Sequence, residues 1–128
     1  MRPYLLIALL TGCAAVTPPE APLSGQWGGP HIGLSIGSTG GQIDYDCASG
    51  TIGPVVPDAA GRFTAAGTHT PGHGGPVRED EVIPSHAATF TGVIQGNRMT
   101  LEGRVDNGVE LGPFVLDKGA EPGIFRCL

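Results

Sequence analysis

Apolar residues alternate with small or polar ones through much of the chain. Ile32, Leu34 and Ile36 do so, Ser38-Thr39-Gly40-Gly41 interrupts, and Ile43, Tyr45 and Cys47 resume the pattern. A period of two broken by a turn signal predicts a hairpin with one buried face. A short strand over 51–56 leads to Pro57-Asp58-Ala59-Ala60-Gly61, a loop ending in glycine, and 62–70 then alternates through Phe63 and Ala65. Residues 71–85 carry no period and read as a long loop. The strongest hairpin signal follows: 87–95 runs into Gly96-Asn97, two residues that tolerate positive φ, and out through Met99, Leu101, Gly103 and Val105. After Asp106-Asn107-Gly108 a strand is expected over 111–116, and 119–123 separates it from a last one, Ile124-Phe125-Arg126-Cys127-Leu128. With an opening strand over 26–36, kinked by its glycines, the count is about eight.

No segment longer than six residues carries a helical period. Sequential hairpins are best satisfied by an antiparallel meander, and closure into a barrel removes its exposed edges. The expected fold is therefore all-β, a small antiparallel meander β-barrel of about eight strands, with an open sandwich as the alternative. Trp27, Tyr45, Phe63, Phe90, Ile94 and Phe114 are among the side chains expected to fill a narrow interior. Gly33, Gly92 and Gly103 are expected to permit the tight bends of such a barrel. Composition agrees, since 22 glycines and 12 prolines in 128 residues punctuate too often for helices. That length allows one domain. The net charge is −5, and the few basic residues are scattered singly. With no stripe for phosphate contacts, nucleic acid is not an expected partner.

The N-terminus changes the picture. Met1-Arg2-Pro3-Tyr4 is a short basic start, and the apolar run Leu5-Leu6-Ile7-Ala8-Leu9-Leu10 is too short to span a bilayer, which takes about 20 residues. It fits the apolar region of an export signal. Leu10-Thr11-Gly12-Cys13 resembles the lipobox of bacterial lipoproteins. That resemblance implies that Cys13 receives a diacylglycerol thioether and becomes the first residue after cleavage, making the membrane a partner through lipid. Ala14, not an aspartate, then implies onward transport to the outer membrane, facing the periplasm. Residues 1–12 are thus expected to be a signal peptide and 13–23 a proline-rich tether, holding a β-barrel domain over 24–128 about 30 Å from the headgroups. With Cys13 committed to lipid, Cys47 and Cys127 remain as a pair in an oxidising compartment, and a disulfide between the second strand and the last is expected.

Gly25-Gln26-Trp27 at the first strand and Arg126 at the end of the last are similar to the signature of the calycins, the lipocalin and avidin-like barrels. The resemblance implies a tryptophan closing the barrel floor with the Arg126 guanidinium across its indole, a contact that gains about 0.5–2 kcal/mol. The run from Thr89 through Gly96-Asn97 to Leu101 also resembles segments of uncharacterised small secreted proteobacterial proteins.

Candidate chemistry is sparse. Gly33-Leu34-Ser35-Ile36-Gly37 matches the nucleophile-elbow pattern, but that elbow needs a strand, a strained turn and a helix, and Ser35 lies inside an alternating strand. His69 and His73 flank Thr70-Pro71-Gly72, which forbids the helix that would align them. A loop can still converge them with His86 and His31, and Arg78-Glu79-Asp80-Glu81 would add carboxylates, yet no metal-binding motif accompanies them. No metal, cofactor or catalytic residue is expected. The expectation is a lipid-anchored, non-catalytic binding or structural module. Its candidate binding loop carries His69, His73, Arg78, Glu79, Asp80, Glu81 and His86, and its partner is an envelope protein or a small ligand. Alternatives are an inhibitor similar to periplasmic lysozyme-inhibitor lipoproteins and a histidine-based metal-binding protein.

Overall fold

The computed structural model describes residues 21–72, 76, 78–125 and 127. Over them the chain forms a closed antiparallel barrel of eight strands in meander order. The strands are β1 (Gly25–Gly29), β2 (Ile32–Gly37), β3 (Gly40–Tyr45), β4 (Ala48–Ile52), β5 (Arg62–Pro71), β6 (His86–Gln95), β7 (Arg98–Val105) and β8 (Glu110–Lys118). The sandwich alternative is excluded. Cys13, His73 and Arg126 lie outside the described residues, so the lipidation site and the Trp27–Arg126 pair do as well.

The count of eight is reached by a different division of the chain. The expected opening strand breaks at Pro30, which cannot donate to a ladder, and His31 takes a left-handed φ of 67°. Its halves become β1 and β2, paired from Gly25↔Ile36 to Gly29↔Ile32. Of the expected last strand the described residues, 124, 125 and 127, are not in a strand, and β8 already closes the barrel on β1. The strand expected over 51–56 starts earlier and stops before Pro54 as β4, while Val55 turns into the core and its carbonyl accepts the Leu23 amide at 2.7 Å.

Alternation places one face of every strand inside. Trp27, Ile32, Ile43, Phe90, Met99, Leu101 and Leu116 are almost wholly buried, and Ile94 and Phe114 pack against them partly exposed. Two inward glycines also make room for aromatic rings, and at Gly103 the β7–β8 register shifts as well. A Cβ at Gly92 would overlap Phe63 Cζ, and one at Gly103 would stand 2.9 Å from Phe90 Cε1. Gly33 faces outward and makes room there too. A Cβ there would meet Pro122 at 2.6 Å, because the chain beyond β8 lies across it.

That segment, residues 119–125, is a strap along the outside of β1 and β2. The Gly119 amide donates to the Gln26 carbonyl at 2.7 Å, and His31 and Gly123 bridge through the His31 amide and Gly123 carbonyl at 2.9 Å. It ends in the Cys47–Cys127 disulfide, with Cα atoms 4.9 Å apart. The bond therefore joins the β3–β4 turn to the strap, and not the second strand to the last.

Candidate binding site at the barrel rim

Meander order puts the β1–β2, β3–β4 and β7–β8 turns and the β5–β6 loop at one end of the barrel. There the barrel opens into a concavity of about 300 Å³, lined by Tyr45, His69, Leu111 and Phe114 with Asp46 and Glu110 among the polar members. Tyr45 is the last residue of β3 and stands on its inward face, only 7% exposed. Its ring lies 5.5 Å from that of Phe114 and 5.7 Å, edge-on, from that of His69. Neither Tyr45 Oη nor His69 Nδ1 finds a hydrogen-bond partner, although both atoms are buried. A buried polar atom left unpaired costs about 1–3 kcal/mol, so two in one concavity are an expensive feature. Burial pushes the Tyr45 phenol up, which keeps it protonated. Burial, and secondarily the facing His86, pushes His69 down, so its imidazole is neutral at pH 7.

The charged groups at the rim are already paired. Asp46 Oδ2 bonds to His31 Nδ1, and its Oδ1 accepts the Phe125 amide of the strap at 2.7 Å. That amide, with His31 adding to it, holds the Asp46 carboxyl below its usual value. The His31 ring rests against Phe125 at 5.6 Å. Glu110 accepts from Arg104 at 2.9 Å, and His86 Nδ1 faces Asp106 at 3.3 Å. Among the described residues, no three His, Cys, Asp or Glu side chains group as metal ligands do.

The residues singled out in the sequence divide between two places. His69 and His86 are not in the long loop; they are register partners at the ends of β5 and β6, on the inward face. Arg78, Glu79, Asp80 and Glu81 form an exposed turn that bonds to itself, with the Arg78 amide donating to Glu81 Oε2 at 3.2 Å and the Glu81 amide to the Arg78 carbonyl at 3.0 Å. The rim concavity draws on none of these four. Ser35 is exposed on the outer face of β2, where Gln26 Nε2 donates to it at 3.3 Å. Tyr45, Asp46 and Phe114 were not foreseen as site residues. The available signal was a polar-tipped aromatic at the last inward position of a strand, beside a cysteine.

A larger concavity, about 530 Å³, lies on the outer wall between Thr89, Thr91, Glu102 and Arg104. Its Arg104 is closed on Glu110, and it presents no buried polar atom lacking a partner. The rim, though smaller, is the better candidate. Compared with protein-family models, with curated proteins and with solved structures, the chain matches none.

Proposed function

We propose that the chain is a lipid-anchored protein of the cell envelope whose barrel is a rigid, non-catalytic holder for a binding site at its rim. The anchor is supported by Leu10-Thr11-Gly12-Cys13, and an exported location is consistent with the Cys47–Cys127 disulfide. The observation that carries the binding reading is the pair of buried, unpartnered atoms, Tyr45 Oη and His69 Nδ1, on two residues that line one solvent-open concavity. A ligand that pairs with both removes a cost the barrel bears on its own. Binding fits better than catalysis, because a phenol that burial keeps protonated offers no base near neutral pH and the carboxylates beside it are engaged. A second reading places recognition of a protein partner on the segment 78–85, where Val82 is 87% exposed beside the Arg78–Glu81 turn.

Two measurements test the proposal. Mass spectrometry of the mature protein is expected to find an acylated N-terminal Cys13, and Cys13→Ser to release the protein from the membrane fraction. Capture of envelope components by the immobilised barrel should survive replacement of Arg78 to Glu81 by Gly and Ser, and be lost with Tyr45→Phe combined with His69→Gln. The reverse pattern would move the site to the loop.

A further inference from the structure

We propose that the rim concavity takes one neutral pyranose ring, as a free sugar or as the end residue of a glycan. The inference rests on the rim being the binding site and adds the ligand's chemistry. A volume of about 300 Å³ is at the small end of ligand sites and suits one ring better than an extended chain. The lining then selects among rings. An anion would meet the Asp46 carboxylate at short range and be repelled. A cation would be drawn by the Asp46 charge but would have to displace the partners its oxygens already hold, His31 on one and the Phe125 amide on the other, and Glu110 is already paired with Arg104. An apolar ring would cover Tyr45 Oη and His69 Nδ1 without pairing them and would leave their desolvation cost in place.

A hydroxylated neutral ring meets every condition. Each hydroxyl both donates and accepts, so adjacent ones can serve a phenol that does the same and an imidazole nitrogen in either tautomer. The apolar C–H face of a pyranose carries the slight positive charge that the negative faces of the Tyr45 and Phe114 rings attract, and those rings stand 5.5 Å apart in a tilted pair. The walls that hold this arrangement are rigid strands, with Tyr45 fixed opposite Ile32 and Ala48 by the ladder. Binding therefore requires little ordering of the protein.

The test uses the full chain and four probes titrated by NMR: methyl β-glucopyranoside, methyl N-acetyl-β-glucosaminide, the anion glucuronate and the cation glucosamine. The neutral sugars are expected to shift Tyr45, His69 and Phe114 saturably, and glucuronate to bind at least about tenfold more weakly. Tyr45→Phe keeps the ring and removes only the hydroxyl, so it should weaken the neutral sugars about tenfold with the rest of the spectrum unmoved. His69→Gln, which retains a donor and an acceptor, should weaken them less. Equal affinity for the charged analogues, or an unchanged affinity in Tyr45→Phe, would overturn the sugar inference. If neither sugar moves the rim while toluene, added as a fifth and apolar probe, does, the inference fails and the rim remains a binding site. If the rim is silent to every probe and loop replacement alone abolishes capture, the rim reading fails with it.

Discussion

The β5–β6–β7 wall and the β1–β8 seam close the same barrel by opposite means. The wall is built from strands of ten, ten and eight residues, and each neighbouring pair is in register over eight. The seam has two paired positions, Trp27↔Lys118 and Gly28↔Asp117. What the seam lacks in ladder it gains from the strap, which crosses β1 and β2 and ends in a covalent bond to the β3–β4 turn. The wall is stabilised locally, by hairpins whose partners are close in sequence. The seam depends on contacts between chain ends, whose closure entropy is paid only once the rest has folded. The rim site combines both regimes, with His69 on the wall side and Asp46 tied to the strap.

The largest effect expected from breaking this contrast is loss of the disulfide. Cys47 and Cys127 are 80 residues apart, and the chain-entropy model assigns such a loop about 4 kcal/mol. Urea unfolding of the Cys47→Ser/Cys127→Ser protein should show a destabilisation of that order. Hydrogen exchange should localise it, with the amides of Gly119 and Gly123 and of β1 losing protection while those of β5 to β7 keep theirs. Uniform loss across both regions would mean that the seam and the wall are one cooperative unit.

Two glycines sharpen the same distinction with smaller effects. Gly92→Ala pushes a methyl into Phe63 inside the wall, and overpacking of this kind costs about 1–3 kcal/mol. That cost should be the same with or without the disulfide. Gly33→Ala pushes a methyl into Pro122 of the strap, so its cost should be present in the oxidised protein and largely vanish in the double-serine variant. A double-mutant cycle by chemical denaturation measures the difference, and an undiminished Gly33→Ala penalty would show that the strap stays seated without its covalent end.

The contrast also explains what could be read from the sequence. The wall was legible because alternation and Gly96-Asn97 are local signals, and Gly96 does take a positive φ of 60° between Gln95 and Arg98. The seam was not, because nothing near Ile124 or Phe125 distinguishes an apolar strap from an apolar strand. Gly28 and Gly33 were visible as glycines, but only the strap passing over them gives them their reason. At the site, the histidines drew attention to the loop by sequence proximity, whereas strand register set His69 and His86 face to face on the inner wall. Pro30 was the one local mark of the break between β1 and β2, and reading it as an obstacle to a single strand would have given the strand division directly.

Acid should act on the wall side of the rim first and on the strap at the seam later. The folded-state pKa of Asp46 is depressed, first by the Phe125 amide and then by His31. Its contribution is therefore present above the ordinary aspartate pKa of about 3.9 and is lost as pH falls through the lower, folded value. His69 is depressed too, by burial first and by His86 second, so its protonation opposes folding as pH falls below about 6.5. An NMR titration should show the Phe125 amide moving with Asp46 at the acid end and the rim resonances moving with His69 nearer neutrality. Asp46→Asn should remove the first transition and leave the second. A Phe125 amide that follows the His69 transition would instead couple strap and rim into one event.

The smallest expected effect on stability is the most informative about the site. Tyr45 belongs to the core by burial, and its ring packs as a core ring should, but its hydroxyl is buried without a partner. If the residue serves the fold alone, Phe is the better choice, since it keeps the ring and removes the desolvation cost. Tyr45→Phe should therefore leave the barrel unchanged or raise its stability by up to about 1 kcal/mol in urea unfolding, the opposite sign to every substitution above. The same variant is the one expected to weaken binding at the rim. A residue whose removal helps folding and harms binding is held at a cost to stability for the ligand, a pattern expected of functional sites and not of a core. Should Tyr45→Phe instead destabilise the barrel by more than about 1 kcal/mol, the hydroxyl has a partner within the fold, and the polar floor of the rim would be reduced to His69.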